Sequence, residues 1–426
     1  MEEKSTLPDN LHVVVKGIAY GGEAVGVIST NTSNPPHLVG KKAFVRDAIP
    51  GEEITISCDK DNKSFFEATL LNVLVAAPSR QQPPCRYAKY CGGCDYQHIQ
   101  ASAQRNFKRD MVENSLVVQG KLALPKSGVE LIGETLPALE YRRRSVFHVD
   151  ELGRVGFFAR KTSTVVPIDT CMLCTSSLNQ GLKKLSAKGT LLAKYFSSAS
   201  VQEFEGAILF GFRLLEGVTV DKLNINELTI EFKTFSVLQD HEIVLHVEEG
   251  IKKSEAPPTA AFCQVNEEGN KLLVAEVIKA CKDSQSITEF YAGSGNFTLP
   301  LAKAGTNVTA VELDRRLTDY GNLCAVKEHV LDKIVFKNFS AEKYVKVVPL
   351  SGDVLLDPPR SGAKVVCEAI NSKKTKRVVY VSCNLPSLTR DIKILVEKGF
   401  VLTSLKVLDM FSQTHHVEVV AVLVAE

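Results

Sequence analysis

The chain has 426 residues, 44% of them hydrophobic and 23% charged, with 51 Lys and Arg against 49 Asp and Glu. Such a length predicts two or three domains, and such a composition excludes a disordered chain, a collagen-like repeat and a small disulfide scaffold. The opening Met-Glu-Glu-Lys lacks the pattern of a secretory signal, and no apolar run is long enough to span a bilayer. A cytoplasmic protein is therefore expected, with its 11 cysteines reduced or bound to metal.

In chain order, the first 80 residues predict short strands at Leu11–Val15, Ala43–Val45, Ile54–Ser57 and Phe66–Val75, separated by turns at Gly21-Gly22, Pro35-Pro36 and Pro50-Gly51. Several short strands in so little chain suggest a small barrel of the OB type. Ser79–Pro84 reads as a linker, and a helix is expected over about Ile99–Val117. Mixed β character runs from there to about residue 260. Helix then alternates with strand: a helix at Lys271–Ala280 and strands at Ile287–Tyr291, Val308–Glu312, Val354–Asp357, Val378–Cys383 and Val417–Val424. Apolar strands alternating with helices imply a parallel, doubly wound sheet. Charge follows the same divisions. Residues 85–200 hold 17 Lys and Arg against 9 Asp and Glu, whereas residues 1–84 hold 8 against 10. A basic middle between neutral or acidic ends is the footprint expected for a polyanion, or simply a solvated face.

Three segments carry candidate chemistry. In Cys85-Arg-Tyr-Ala-Lys-Tyr-Cys91-Gly-Gly-Cys94 the glycine pair lets Cys91 and Cys94 face one centre, and Cys171 and Cys174 form a second C-x2-C pair. Zinc on Cys91, Cys94, Cys171 and Cys174 and an iron–sulfur cluster on Cys85, Cys91, Cys94 and a distant thiol are both compatible with this spacing. Glu289-Phe-Tyr-Ala-Gly-Ser-Gly-Asn296 ends a strand and opens a helix, with Gly293 and Gly295 at the turn and Glu312 closing the next strand, where a carboxylate can take ribose hydroxyls. The missing third glycine suits S-adenosylmethionine, which has no pyrophosphate, better than a dinucleotide.

The third group lies at the ends of C-terminal strands: Asp357-Pro-Pro-Arg-Ser-Gly362, Ser382-Cys383-Asn384 and Asp409-Met-Phe-Ser-Gln-Thr-His-His-Val-Glu418. Taken singly, each has an ordinary structural explanation. Together they match one chemistry. Carbon 5 of uracil cannot attack a sulfonium methyl unaided, but a thiolate adding at C6 turns the ring into an enolate whose C5 can. A base must then remove the C5 proton so that the thiolate leaves, and the target base must be out of any helical stack.

On these residues the chain resembles the RNA uracil-5-methyltransferases, specifically the branch acting on 23S ribosomal RNA. Phe44-Val-Arg-Asp-Ala-Ile-Pro-Gly-Glu52 is similar to that branch's TRAM barrel, and Cys85…Cys94 with Gln97-His98 to its iron–sulfur motif. The resemblance implies a TRAM-like barrel over 1–82, a central α+β iron–sulfur and RNA-binding domain over 83–263, and a Rossmann-type methyltransferase domain over 264–426. It further implies a [4Fe-4S] cluster on Cys85, Cys91, Cys94 and Cys171, with Cys174 left over. Carried over in the same way, Cys383 is the nucleophile and Glu418 the base. Gln264 (in Phe262-Cys-Gln-Val-Asn266), Tyr291, Asn296, Glu312 and Asp357 fall at donor-binding positions. Ser340 stands where the family has Asn or Asp near the adenine, Glu289 where Asp is commoner, and Ser412 where Pro is usual, which should loosen the turn before Glu418.

The basic middle, including Arg105, Lys108-Arg109, Arg142-Arg143-Arg144 and Lys183-Lys184, is then the expected RNA surface, with Tyr87, Tyr90 and Tyr96 as stacking faces or packing around the cluster. Three rivals remain: the same chemistry on transfer RNA, a cytosine-5 methyltransferase, and a non-catalytic RNA-binding or assembly protein with a structural metal. The second is disfavoured because the one Pro-Cys, Pro84-Cys85, lies in the cysteine cluster.

Overall fold

The computed structural model describes residues 8–31, 33–204, 206–239, 242–247 and 264–426. Phe262 and Cys263 of the expected donor motif lie outside the described residues. The N-terminal strands β1 (Leu11–Ile18), β2 (Ala24–Ile28), β3 (Lys42–Val45), β4 (Glu53–Asp61) and β5 (Phe65–Val75) close into a barrel in the order β1-β2-β3-β5-β4. Alternate residues point inward, so Val13, Val15, Ile28, Val45, Ile54, Ile56 and Phe66 fill it. Strand β2 was not expected from sequence; Gly26 interrupts its alternation, and there Cβ-less backbone is what lets Val13 pack across. The supposed linker is pinned as well. Arg80 reaches back to the fully buried Glu52, its Nη2 donating to Oε2 at 2.7 Å. Burial raises that carboxyl, but Arg80 and two backbone N–H groups outweigh it and hold the group below its usual range.

Next come the helix Ala101–Asn114 and β6 (Glu130–Ile132), then a seven-stranded sheet. Its members are β7 (Arg144–Val149), β8 (Val155–Phe158), β9 (Val165–Pro167), β10 (Phe196–Phe204), β11 (Ala207–Leu214), β12 (Phe235–Gln239) and β13 (Glu242–Val247), in the order β13-β12-β11-β10-β7-β8-β9. Phe147, Phe196, Phe212, Phe232 and Phe235 form its aromatic core, with Leu178, Leu182 and Leu185 of the helix Ser176–Ala187 laid over them.

The third sheet contains β14 (Ser286–Phe290), β15 (Asn307–Glu312), β16 (Ile334–Asn338), β17 (Asp353–Leu356), β18 (Arg377–Ser382), β19 (Phe400–Leu408) and β20 (Glu418–Ala425). Its order is β16-β15-β14-β17-β18-β20-β19-β6. The five strands from β16 to β18 are parallel, as the alternation predicted, but β20 runs antiparallel to β18 and β19 antiparallel to β20. A hairpin-like pair thus closes what reads in sequence as a continuing parallel series. The segment 101–132 also belongs here by packing: Met111, Val112 and Leu116 enter the core of this sheet, and β6 forms its edge. Among the described residues, no helix is long and apolar enough to cross a membrane.

Candidate active site

Parallel strands share a direction, so the carboxyl ends of β14, β15, β17 and β18 lie along one edge, where open α/β sheets bind ligands. The turn after β14 is shaped by positive φ at Tyr291 (+62°), Gly293 (+58°) and Gly295 (+99°). For a tyrosine this left-handed conformation costs about 1–2 kcal/mol, which the surrounding packing must offset. Glu312, the last residue of β15, accepts the Gly293 N–H at 2.9 Å with one carboxylate oxygen and the Asp314 N–H at 2.8 Å with the other. The carboxylate is thereby fixed in the plane of the turn. Asn296 and Asn270 exchange side-chain hydrogen bonds at 3.0 and 2.8 Å, and the Tyr291 hydroxyl donates to Glu342 at 3.1 Å. Gln264 contributes a buried Oε1 with no hydrogen-bond partner, a polar atom left for a ligand. The Ser340 hydroxyl caps the helix Ala341–Val347 by accepting from Lys343 N–H, so its oxygen is already engaged.

One acidic group was underweighted by sequence. Glu289 is fully buried in β14, accepts from the Thr298 hydroxyl at 2.5 Å, and leaves Oε1 unpartnered. Burial, reinforced by Asp357 and Glu312, pushes its carboxyl up to about 8. Asp357, just beyond β17, is pushed up to about 7 by burial.

The antiparallel pairing of β18 with β20 decides the rest. Ser382 faces Val419 in the register, so the next residue on one strand, Cys383, lies across from the preceding residue on the other, Glu418. Thirty-five residues of sequence separation collapse into adjacent positions at the ligand edge. Cys383 sits half-buried between β18 and the helix Leu385–Glu397, whose N-terminus Asn384 caps by accepting the Ser387 N–H at 3.1 Å. Its thiol is pushed up to about 11 by burial, then by Glu418 and Asp357, against a smaller opposing effect of Arg360. Glu418 is only 5% exposed, and burial with Asp357 raises its carboxyl well above the usual range. These three acidic groups all resist charging until a cation or substrate changes their surroundings.

The segment 409–418 is braced on several sides. Lys108 and Asp409 form a fully buried ion pair at 2.6 Å, and Lys108 also donates to the Phe411 carbonyl. Gln104 and Gln413 bond to each other twice, and Asn266 Nδ2 donates to the Met410 carbonyl. Ser412 does not loosen this turn as expected: its hydroxyl donates to Asp409 at 2.8 Å, and its carbonyl accepts from Tyr141. His415 is held by Asp95, which accepts from it at 2.6 Å, and burial lowers His416 to about 4. Lys108→Ala leaves Asp409 buried without a counter-charge, and a loss of about 3–5 kcal/mol is expected. A fall in the urea unfolding midpoint measures it; an unchanged midpoint refutes the brace.

Cys85, Cys91, Cys94 and Cys171 line one small cavity, shared with Arg142, Gln97 and Tyr87; Cys174 is not in its wall. Cys174 is completely buried and 3.8 Å from the Ser145 hydroxyl. Its thiol also donates to Cys171, which holds Cys171 down to about 6. Gln97 Nε2 points at Cys94 Sγ (3.4 Å), and burial pushes Cys94 up to about 12. Among the described residues, no three His, Cys, Asp or Glu side chains converge tightly enough for a single metal ion.

The expected RNA surface is partly consumed by structure. Lys108 is buried, Arg105 donates to the Glu134 and Leu136 carbonyls, and Arg143 pairs with Glu203 and Glu267. Lys183 and Lys184 are exposed. Tyr96 is 1% exposed and therefore packs, Tyr87 bonds Asp169, and Tyr90 is the exposed ring.

A Gly-rich turn, a strand-end carboxylate and a ligand edge built on a largely parallel sheet define a Rossmann-type methyltransferase. Relatives narrow the class. The family described as tRNA (Uracil-5-)-methyltransferase matches residues 249–350 and 350–426. The 23S rRNA (uracil(1939)-C(5))-methyltransferase RlmD of Neisseria lactamica is 33% identical over 417 residues, covering 90% of this chain and 91% of the relative. The protein of that name from a Shewanella species is 31% identical over 416 residues, covering 90% of each. The crystal structure of Pyrococcus abyssi tRNA (uracil-54, C5)-methyltransferase in complex with S-adenosyl-L-homocysteine has the same fold. It is similar with a TM-score of 0.72 at 22% identity, over 97% of this chain and 99% of that one. The chain belongs to the RNA uracil-5-methyltransferase family, and its activity is S-adenosylmethionine-dependent methylation of carbon 5 of uridine in RNA.

Proposed function

We propose that the chain methylates a uridine of 23S ribosomal RNA in the cytoplasm, with Cys383 as nucleophile and Glu418 as base. The observation that carries the mechanism is the β18–β20 register, which sets Cys383 beside Glu418 at the ligand edge. S-adenosylmethionine, when bound, supplies an electrophilic methyl group. Cys383 Sγ adds to C6 of the extruded uracil, and the electron pair moves to C5 and the C4 carbonyl. After C5 has gained the methyl group, Glu418 takes the C5 proton, the C5–C6 double bond re-forms, and the thiolate leaves. Gln264, Tyr291, Gly293, Gly295, Asn296, Glu312 and Asp357 form the donor site in this reading; Ser340 contributes through the helix it caps.

The choice of 23S RNA is supported by the printed activity of relatives aligned over nine-tenths of the chain. Methyl transfer from labelled S-adenosylmethionine to unmodified total RNA tests it. Label should appear as 5-methyluridine in the large ribosomal RNA; the same nucleoside in transfer RNA alone overturns the substrate and keeps the chemistry. No label in either favours a non-catalytic RNA-binding protein.

Asp357 gives a pH signature. A sulfonium cation beside it favours the carboxylate, so affinity for S-adenosylmethionine relative to neutral S-adenosylhomocysteine should rise with pH through about 7. The gain approaches about tenfold per pH unit below that value. Calorimetric titration of both ligands measures the ratio, and a ratio flat from about pH 6 to 8 removes Asp357 from the sulfonium's side.

The cysteine cavity fits a [4Fe-4S] cluster on Cys85, Cys91, Cys94 and Cys171 better than a single zinc ion. The four thiols line one space instead of converging on a point, and Cys174, which the zinc arrangement needs, is not in its wall. Such a cluster would order the loop 85–98 against the active-site motif. Anaerobically purified chain should contain about four irons and four sulfides, and Cys85→Ser should lose them. About one zinc per chain, retained in Cys85→Ser, contradicts the assignment.

A further inference from the structure

The turn between β1 and β2 leaves the barrel and enters the catalytic edge. Gly21 and Gly22 adopt φ of +113° and +92°, and Ala19 pairs with Glu23 and Gly22 across the turn, which throws Tyr20 outward. The Tyr20 ring consequently packs on the core of the methyltransferase sheet, not inside its own barrel. Its hydroxyl accepts from Asn384 Nδ2 at 2.8 Å. On the other side the ring meets His415 edge-on with centroids 6.5 Å apart. Gly22 approaches so closely that a Cβ there would lie 2.9 Å from His415 Cβ. A single barrel turn therefore touches the residue after Cys383 and the residue three before Glu418.

The Asn384 amide has one acceptor and one two-proton donor end. Its oxygen is committed to the helix cap, accepting from Ser387 N–H and lying 2.9 Å from Ser387 Oγ. The donor end is committed to Tyr20. With both ends held, the amide is braced next to Cys383, in the turn that leads into a 13-residue helix. That location matters, since Cys383 directly precedes the N-cap, and a nearby helix N-terminus favours a thiolate.

We infer that Tyr20 is a positioning residue for methyl transfer: through Asn384 it fixes the turn that presents Cys383, so the N-terminal barrel completes the nucleophile's site. The inference rests on Cys383 as nucleophile.

A double-mutant cycle in the full-length chain tests this. Tyr20→Phe keeps the ring and removes the hydroxyl; Asn384→Ser keeps a capping oxygen and removes the amide donor. Each should lower kcat by up to about tenfold, the ceiling set by one hydrogen bond, while KM for RNA stays within about twofold. The double variant should be no slower than the worse single variant, because the two changes remove the same interaction. Multiplying losses, or a KM rise at constant kcat in Tyr20→Phe, overturns the inference.

The rate of Cys383 carbamidomethylation by iodoacetamide in RNA-free chain, with half-buried Cys324 as internal reference, gives a second readout. Tyr20→Phe should slow it at Cys383 alone; equal rates overturn the inference. Turnover in Cys383→Ala would instead remove the nucleophile assignment, an outcome the alkylation rates do not mimic.

Discussion

Cys383→Ala is expected to bind the methyl donor normally and to transfer nothing to RNA. The drop in kcat should be roughly 10⁴-fold or more, the scale on which covalent enzymes lose activity when the nucleophile is removed. The physical reason is that, among the described residues at this edge, Cys383 supplies the thiol that can raise the electron density of uracil C5. Asp357 and Glu418 are oxygen acids whose carboxyls burial raises, and Arg360 carries no nucleophile. Donor binding survives because Gly293, Glu312 and Asn296 belong to β14, β15 and the turn between them, whereas Cys383 ends β18. Filter-bound label from S-adenosylmethionine reads turnover, and calorimetry reads donor affinity. Methylation at the wild-type rate would falsify the nucleophile assignment.

Glu418→Gln has the opposite appearance: turnover stops, and a protein–RNA adduct that survives denaturation accumulates with the labelled methyl group in it. Without the carboxylate the C5 proton cannot be removed after methyl transfer, so Cys383 stays bonded to C6. A denaturing gel of the reaction with labelled donor shows the adduct as a shifted, labelled band. Normal turnover without such a band assigns the base to another residue.

The two variants also separate the roles of one constellation. Cys383 and Glu418 are neighbours only because β20 runs against β18, so a change at either alters the other's ionisation as well as removing its own chemistry. Single losses in such a pair do not add.

Much of this molecule can be read from local pattern. The largely apolar runs at 287–291, 308–312, 354–357 and 378–383 mark β14, β15, β17 and β18 to within a residue, because a strand buried on both faces is rich in apolar residues. The glycine turn, Glu312, Asp357 and Cys383 follow, since each lies at or just beyond the carboxyl end of such a strand and those ends of a parallel sheet share an edge. The cysteine spacing likewise singled out the thiols that line the cavity, while leaving zinc and iron–sulfur chemistry equal until the whole-chain resemblance was weighed.

Other features were invisible because they depend on partners far along the chain. The direction of β20 is not encoded in its composition: Val417–Val424 would be as apolar in a parallel strand, yet only the antiparallel choice brings Glu418 to the ligand edge. Lys108 read as an RNA-binding charge and is a buried brace, since its exposure depends on Asp409, 301 residues away. Ser412 read as a loosened turn and is a tightened one, because its hydroxyl finds Asp409. Tyr20 gave no signal at all; a tyrosine before two glycines is an ordinary turn until a second domain lies against it. Periodicity and motif spacing record how each segment partitions between water and core, and so they specify the strands and the glycine turn, whereas the roles proposed for Cys383 and Glu418 rest on the family resemblance. Which remote side chains those groups meet, and hence their ionisation and their support, was settled by packing, since a contact between distant residues leaves no local period in either.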